Sequence, residues 1–276
     1  NLVWDKTGSS FLLDTYTGAA AAYSLRQLKT GVTNVVRVRR NFDNAEQDFT
    51  PTEITDGTLA NFVGAGNNGF VTKWYDQSGN GNDATQTVVS NQPKIVTNGV
   101  VEYRDGHPVI FNETFSRYLE TPISESQGDD VSLITVNGVD LLRTNAFDNA
   151  TLTLTGTSNF NNNGVFVSRV TSTGNTLIVS TVGSVDSGST AVLEALNLKT
   201  IYVNSTDYQG RVNDVDTSAT PVLASMPTAS GTIRLGKPNN QVTNKHFHSE
   251  FIIYNSDQSA NRSGIEANIN THYSIY

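Results

Sequence analysis

Short β-rich runs, each ended by residues that tolerate positive φ, constrain this chain more than any other feature. Residues 70–75, 109–111, 131–136, 151–154, 165–167, 176–182, 198–203, 232–235 and 247–254 are dense in β-branched and aromatic side chains. Between them stand Gly64-Ala65-Gly66-Asn67-Asn68-Gly69, Asn98-Gly99, Asn137-Gly138, Asn161-Asn162-Asn163-Gly164 and Gly174-Asn175, where glycine and asparagine accept left-handed backbone. Many short strands with frequent turns specify a sandwich or barrel, and the strand-helix alternation of a parallel α/β sheet is missing. Two segments read as helical. Residues 19–28 are an alanine run with apolar Ala21, Leu25 and Leu28, and a C-terminal segment capped by Ser259 repeats Ile265, Ile269 and His272 or Tyr273 at helical spacing. Residues 137–164, rich in Asn, Thr and Gly, read as a long loop or extra hairpin, and 214–230 as a surface connection.

Polarity in this chain comes from amides and hydroxyls more than from charge. Charged residues make up only 16%, and a net charge of -8 offers no attraction to a phosphate backbone, so nucleic acid is not an expected partner. The one basic cluster, Arg37, Arg39 and Arg40, alternates with Val36 and Val38, which reads as a strand with valines inward and arginines in solvent. Cysteine is absent, which excludes disulfides, thiolate metal sites and cysteine nucleophiles and leaves stability to the hydrophobic core. No run approaches the ~20 apolar residues a membrane span requires, so no membrane insertion is expected, and no signal peptide is visible. Beginning at Asn1, the chain reads as a processed product or part of a longer polypeptide, with one domain over 1–276 and residues 1–10 as an extension or linker.

The most distinctive string is Trp74-Tyr75-Asp76-Gln77-Ser78-Gly79-Asn80-Gly81-Asn82-Asp83. Two aromatics end a strand and anchor in the core. Asp76, Ser78, Asn80 and Gly81 then build a tight polar turn whose side chains bond to backbone amides. Asp76, Asn80 and Asp83 also offer oxygen ligands to calcium, yet position twelve of such a loop is Thr87 rather than a bidentate glutamate. No cofactor is therefore expected, with calcium at this loop as the lesser reading.

Three stretches carry a family resemblance: Ala22-Tyr23-Ser24-Leu25-Arg26-Gln27-Leu28 followed by Val36-Arg37-Val38-Arg39-Arg40; Gly69 through Asn82; and Glu250-Phe251-Ile252-Ile253-Tyr254-Asn255-Ser256-Asp257 into the terminal helix. The chain resembles the concanavalin A-like, laminin-G-like jelly-roll domains of phage virion proteins and of surface proteins in Bacteroidetes-type bacteria. That resemblance implies an all-β jelly-roll sandwich with short helices near the N- and C-termini. The segment from Tyr75 to Asn82 is also similar to one in α-L-arabinofuranosidases, which share the sandwich, although their two catalytic carboxylates do not map onto this sequence.

A retaining or inverting glycosidase needs two positioned carboxyl groups. The acidic residues in or beside strands, Glu102, Asp140, Glu194 and Glu250, are isolated from one another in sequence, and Glu250 stands out because it leads into an apolar strand. His246 and His248 alternate on one strand face without a visible third metal ligand, so no metal site is expected. The glycines of 64–69 precede a strand rather than a helix, which makes them a hairpin turn and not a phosphate loop. Sugar binding asks for an aromatic platform beside amides or carboxylates, for which Trp4, Tyr16, Tyr103, Tyr118, Phe160, Tyr202, Tyr208 and His246 are candidates. Tyr208, with Asp207 and Arg211 in a polar turn, is the leading exposed ring. The sequence reading is thus a non-enzymatic recognition or structural module on a virion surface or outside the cell, such as a phage spike, fibre or head-decoration protein. Its expected partners are a host cell-surface glycan, a neighbouring virion protein or further copies of itself, and the alternative is a secreted glycoside hydrolase of arabinofuranosidase-like sandwich fold.

Overall fold

A computed structural model of the chain describes residues 10–114, 116–125, 130–140, 152–155, 165–170, 175–180, 183–190, 194–203, 208–216, 231–236 and 245–276. In chain order, helix α1 (Leu12–Thr15) precedes β1 (Ala21–Ser24), β2 (Val36–Arg40) and β3 (Glu46–Phe49). Helices α2 (Pro51–Thr55) and α3 (Thr58–Val63) lead into β4 (Gly69–Trp74), β5 (Ala84–Thr85), β6 (Lys94–Thr97), β7 (Val100–Val101), β8 (Tyr103–Arg104), β9 (His107–Pro108) and β10 (Ile110–Asn112). The strands β11 (Leu119–Glu125), β12 (Val131–Asp140), β13 (Leu152–Thr155), β14 (Val165–Val170), β15 (Asn175–Ser180) and β16 (Gly183–Thr190) follow. Last come β17 (Asn197–Val203), β18 (Tyr208–Val212), β19 (Val215–Asp216), β20 (Gly231–Leu235), β21 (Lys245–Tyr254) and helix α4 (Arg262–Tyr273).

The described strands pair antiparallel in two layers. In the front layer β3, β2 and β4 adjoin in that order, and β5 continues from β4 through β11, β20, β13, β14 and β15 to β16. In the back layer β1 and β10 share one side of β21, whose other side carries β12, β17, β18 and β19. Pairing of β6 with β10 joins the layers along one margin. An inner core fills the space between layers, built on Tyr23, Val36, Val38, Phe49, Trp74, Leu133, Ile201, Leu235, Phe251 and Ile253. An outer core seals the other face of the back layer under α1 and α4, with Leu12, Ala22, Ile134, Leu198, Phe247, Ile252, Ile265 and Ile269. The all-β sandwich expected from the turn spacing is what the chain forms.

Several local expectations are corrected. Residues 19–28 do not form a helix: Ala21–Ser24 is a strand paired with Ile253 back to Glu250. Ala21 faces the inner core and Ala22 the outer, so this run has no solvent side, and a strand buried on both faces shows the continuous small-apolar pattern that also suits a helix. The terminal helix does lay Ile265, Ile269 and Tyr273 on the body, but it starts at Arg262, and Ser259 opens a short 3-10 turn instead of capping it. Glycines 64–69 link α3 to β4 and are not a hairpin turn. Strand β12 runs on through Asn137 to Asp140, so 137–164 does not begin as a loop. Arg39 is only 6% exposed; it donates to Gln92 Oε1 and Asn44 Oδ1 and lies over the Phe70 ring. Arg37 and Arg40 pair with Asp48 and Asp43.

The turn after β4 is closed by its own polar groups. Asp76 Oδ1 accepts from the Ala22 and Ser78 amides, both at 2.9 Å. Asp76 Oδ2 accepts from Ser78 Oγ at 2.7 Å and from the Asn82 amide at 3.0 Å. Asn80 Nδ2 donates to Ala19 and Ala20 carbonyls, and Asp83 accepts from the Asp76 amide and from Lys73. The side chains of this turn thus anchor β1 to β4. Replacing Asp76 with alanine leaves those donors without an acceptor and is expected to lower the unfolding free energy by about 2–3 kcal/mol in urea titration; an effect near zero would show that the turn does not hold the layers.

Candidate functional site

An irregularity in β21 decides where its polar side chains go. Val136 of β12 faces Glu250, and the next residue, Asn137, faces His248, so Ser249 is an extra residue in β21. Such a bulge reverses the inside-outside alternation. Beyond it Phe247 enters the outer core, while the His248 ring sits 5.3 Å from the Phe251 ring of the inner core. His246 follows on the same side, its ring stacked on His248 at 6.2 Å.

At this end of the sandwich a group of polar side chains takes the place of hydrocarbon between the layers. Thr135 and Asn137 from β12, Lys199 from β17, His246 and His248 from β21 and Asn112 from β10 are all buried. Lys199 Nζ donates to Asn137 Oδ1 at 2.6 Å, and Asn137 Nδ2 donates to Thr135 Oγ1 at 2.5 Å. Asn112 Nδ2 donates to the carbonyls of Arg117 and Gly236 at 2.6 and 2.9 Å. Gly236 has φ +78°, and a Cβ there would meet His248 Nε2 and the Asn112 amide, so only glycine lets the front layer approach this closely. Asn112 Oδ1 and both ring nitrogens of His246 and of His248 have no hydrogen-bond partner among the described residues.

Electrostatics sharpen the site. Burial pushes the Lys199 amine down to about 7. The His246 imidazole is pushed down to about 3, by burial first and then by Lys199. His248 is lowered well below the ordinary value by burial, His246 and Lys199. Both rings are therefore neutral at pH 7, each with one donor and one acceptor nitrogen. Unpartnered, such groups each cost about 1–3 kcal/mol, and a ligand carrying both hydroxyl donors and acceptors would recover that cost. Among the described residues no group of three or more histidine or acidic side chains is placed to hold a metal ion.

The other residues singled out from the sequence lie elsewhere. Glu250 is fully buried and accepts from Arg26 Nε at 2.8 Å, Arg26 Nη2 at 3.1 Å, Ser24 Oγ at 2.8 Å and Tyr273 OH at 3.2 Å. Those donors make it a structural anchor. Tyr208 opens strand β18 opposite Val203 rather than sitting in a turn, and Asp207 lies outside the described residues, as do Trp4 and Phe160. Arg211 is held by Asp214, Asp216 and Glu266. Tyr202 is buried, and Tyr103 is 39% exposed on the small β8–β9 hairpin. Glu102 is half-buried and Glu194 exposed, whereas Lys199, Asn137 and Asn112 escaped the sequence reading. Isolated polar residues at inward positions of apolar strands were the available signal.

No family model matches the chain, and no curated protein sequence matches it. Solved structures do. A GH54 α-L-arabinofuranosidase soaked with a cyclic sulfate inhibitor superposes with a TM-score of 0.66 at 15% identity, covering 94% of this chain and 64% of that one. An arabinofuranosidase complexed with arabinofuranosyl-α-1,2-xylobiose gives a TM-score of 0.63 at 17% identity with the same coverage. The chain thus spans 64% of the length of these structures, and the likeness establishes a shared fold. Both are glycoside hydrolases and neither is a virion protein, which corrects the expectation of a non-enzymatic module and leaves the phage spike, fibre or decoration reading without support.

Two outcomes follow from this geometry. Glu250→Gln should lower stability by about 3–5 kcal/mol in denaturant unfolding, because the buried Arg26 loses its counter-charge; unchanged stability would refute the anchoring role. The titrations give a signed pH dependence. His246 falls from 6.5 to about 3 and Lys199 from 10.5 to about 7 on folding, so the unfolded chain binds more protons in both windows. Stability should therefore drop as pH falls from about 6.5 to 3 and rise as it climbs from about 7 to 10.5. His246→Leu should flatten the acid limb and Lys199→Met the alkaline limb in urea titrations across pH.

Proposed function

We propose that this chain is a secreted glycoside hydrolase domain of the arabinofuranosidase-like sandwich, with jelly-roll strand order, and that the polar end of its inner face receives the sugar. The observation that carries this reading is the superposition of 94% of the chain on arabinofuranosidase structures. The buried polar group adds chemical support: neutral imidazoles, an amide oxygen and an amine of pKa about 7 match the donor and acceptor pattern of a sugar ring. Lys199, poised near neutrality, is suited to donate a hydrogen bond or a proton to a leaving oxygen.

Hydrolysis by paired carboxyl groups needs no cofactor and places those groups about 5 Å apart for retention, further for inversion. The described residues of the buried polar group carry amides, imidazoles, a hydroxyl and an amine. Among these groups the Lys199 amine, with its pKa lowered to about 7 by burial, is the position to test. Release of nitrophenol from 4-nitrophenyl α-L-arabinofuranoside is the assay. Turnover by the native chain, reduced at least about a hundredfold in Lys199→Met, would support the reading. Absence of turnover on this and other aryl glycosides, with no retention on arabinan, would overturn it.

A further inference from the structure

A cavity of about 690 Å³ opens between the segment after β1, helix α2, the β8–β9 hairpin and the end of α4. Its volume falls in the range of small-molecule pockets, roughly 300–1,000 Å³. Its lining takes in Tyr273 of the outer core and Leu25 of the inner core and none of the polar residues around His246 and His248, so the two sites share no residue.

One wall of the cavity is a group of rings. His107 lies 4.9 Å from Tyr273 and 5.1 Å from His272, and His272 lies 4.6 Å from Tyr273. Their arrangement is fixed from behind. Glu250 holds both Arg26 and the Tyr273 hydroxyl, and Asn268 accepts from Arg26 Nη1 at 3.1 Å. The His107 side chain is tied to the Tyr273 backbone, and burial lowers its basicity. The lining also includes Thr33, Thr52 and Thr55, the last of which donates its hydroxyl to the carbonyls of Pro51 and Thr52. Arg26 is the one permanently charged side chain among the described lining residues, and its charge is cancelled by Glu250 at 2.8 Å.

Aromatic faces together with hydroxyls, in a cavity without net charge, select an uncharged ring that carries its own hydroxyls. An anionic ligand would meet a guanidinium already neutralised, and a purely apolar one would strand the imidazoles and the Thr33 and Thr52 hydroxyls. We propose that this cavity is a carbohydrate-binding site, separate from the inner recess, that takes one uncharged sugar residue. It requires no turnover and does not rest on the hydrolase reading.

The test follows the ring protons of His107 and His272 by NMR while L-arabinose, D-galactose or D-galacturonate is added to the intact chain. The expected result is a saturable shift of both rings with a neutral sugar. Thr52→Trp, at an exposed position of α2, fills the mouth and should abolish that shift. His272→Ala, followed through His107, should weaken binding about tenfold and serves where the first variant does not fold. Absence of any shift, a shift with D-galacturonate alone, or full binding by folded Thr52→Trp would each overturn the assignment.

Discussion

A buried carboxylate organises this molecule. Glu250 sits in β21, the strand shared by both margins of the back layer, and gathers donors from Ser24, Arg26 and Tyr273. Those three residues come from β1, the segment after it, and helix α4. A charge at such depth is tolerable only when every lone pair is used and the partner is equally fixed. Gln77 extends the set: its amide donates to the Ser24 and Arg26 carbonyls, and its oxygen accepts from the Leu28 amide. Gln77 adjoins Asp76, so the chain of polar contacts runs from the back layer into the turn that follows Trp74.

The same strand carries the bulge at Ser249, and the two features are linked by position. Ser249 lies between Glu250, which points to the helix side, and His248, which points between the layers. Its carbonyl accepts from the Leu25 amide and its hydroxyl donates to the Pro108 carbonyl, so the extra residue has its polar groups engaged. Without the insertion, alternation would place Phe247 between the layers and His248 under the helix. The bulge thus turns a regular sheet into one with a polar end.

How much of this was legible depended on whether a residue's neighbours in sequence are also its neighbours in space. Val36 and Val38, the turn at Asp76 and the spacing of Ile265 and Ile269 are local patterns, and they read directly. The alanine run failed because helix and doubly buried strand share a composition, and only the partner β21 decides between them. Helix α2 had a readable signal: Thr50 and Glu53 form a capping box with Pro51 at the first helical position. Arg39 looked solvated because nothing near it in sequence announces Gln92 or Phe70. The bulge and the recess were illegible for the same reason, since register between β12 and β21 relates residues more than a hundred positions apart.

The distribution of unpartnered polar atoms separates the recess from ordinary packing. Single cases occur elsewhere in the described residues, at Trp74 Nε1, Thr97 Oγ1 and Tyr202 OH. Each is isolated, and the surrounding core absorbs its cost. At His246, His248 and Asn112 the atoms converge, beside an amine whose charge burial disfavours and a glycine without which the layers would collide. A sandwich selected for stability alone would fill those inward positions with valine and leucine, as it does at Leu133, Ile201 and Phe251. Retaining amides and imidazoles there lowers stability by several kcal/mol in total, a departure from local consistency of the kind that marks positions kept for something other than packing.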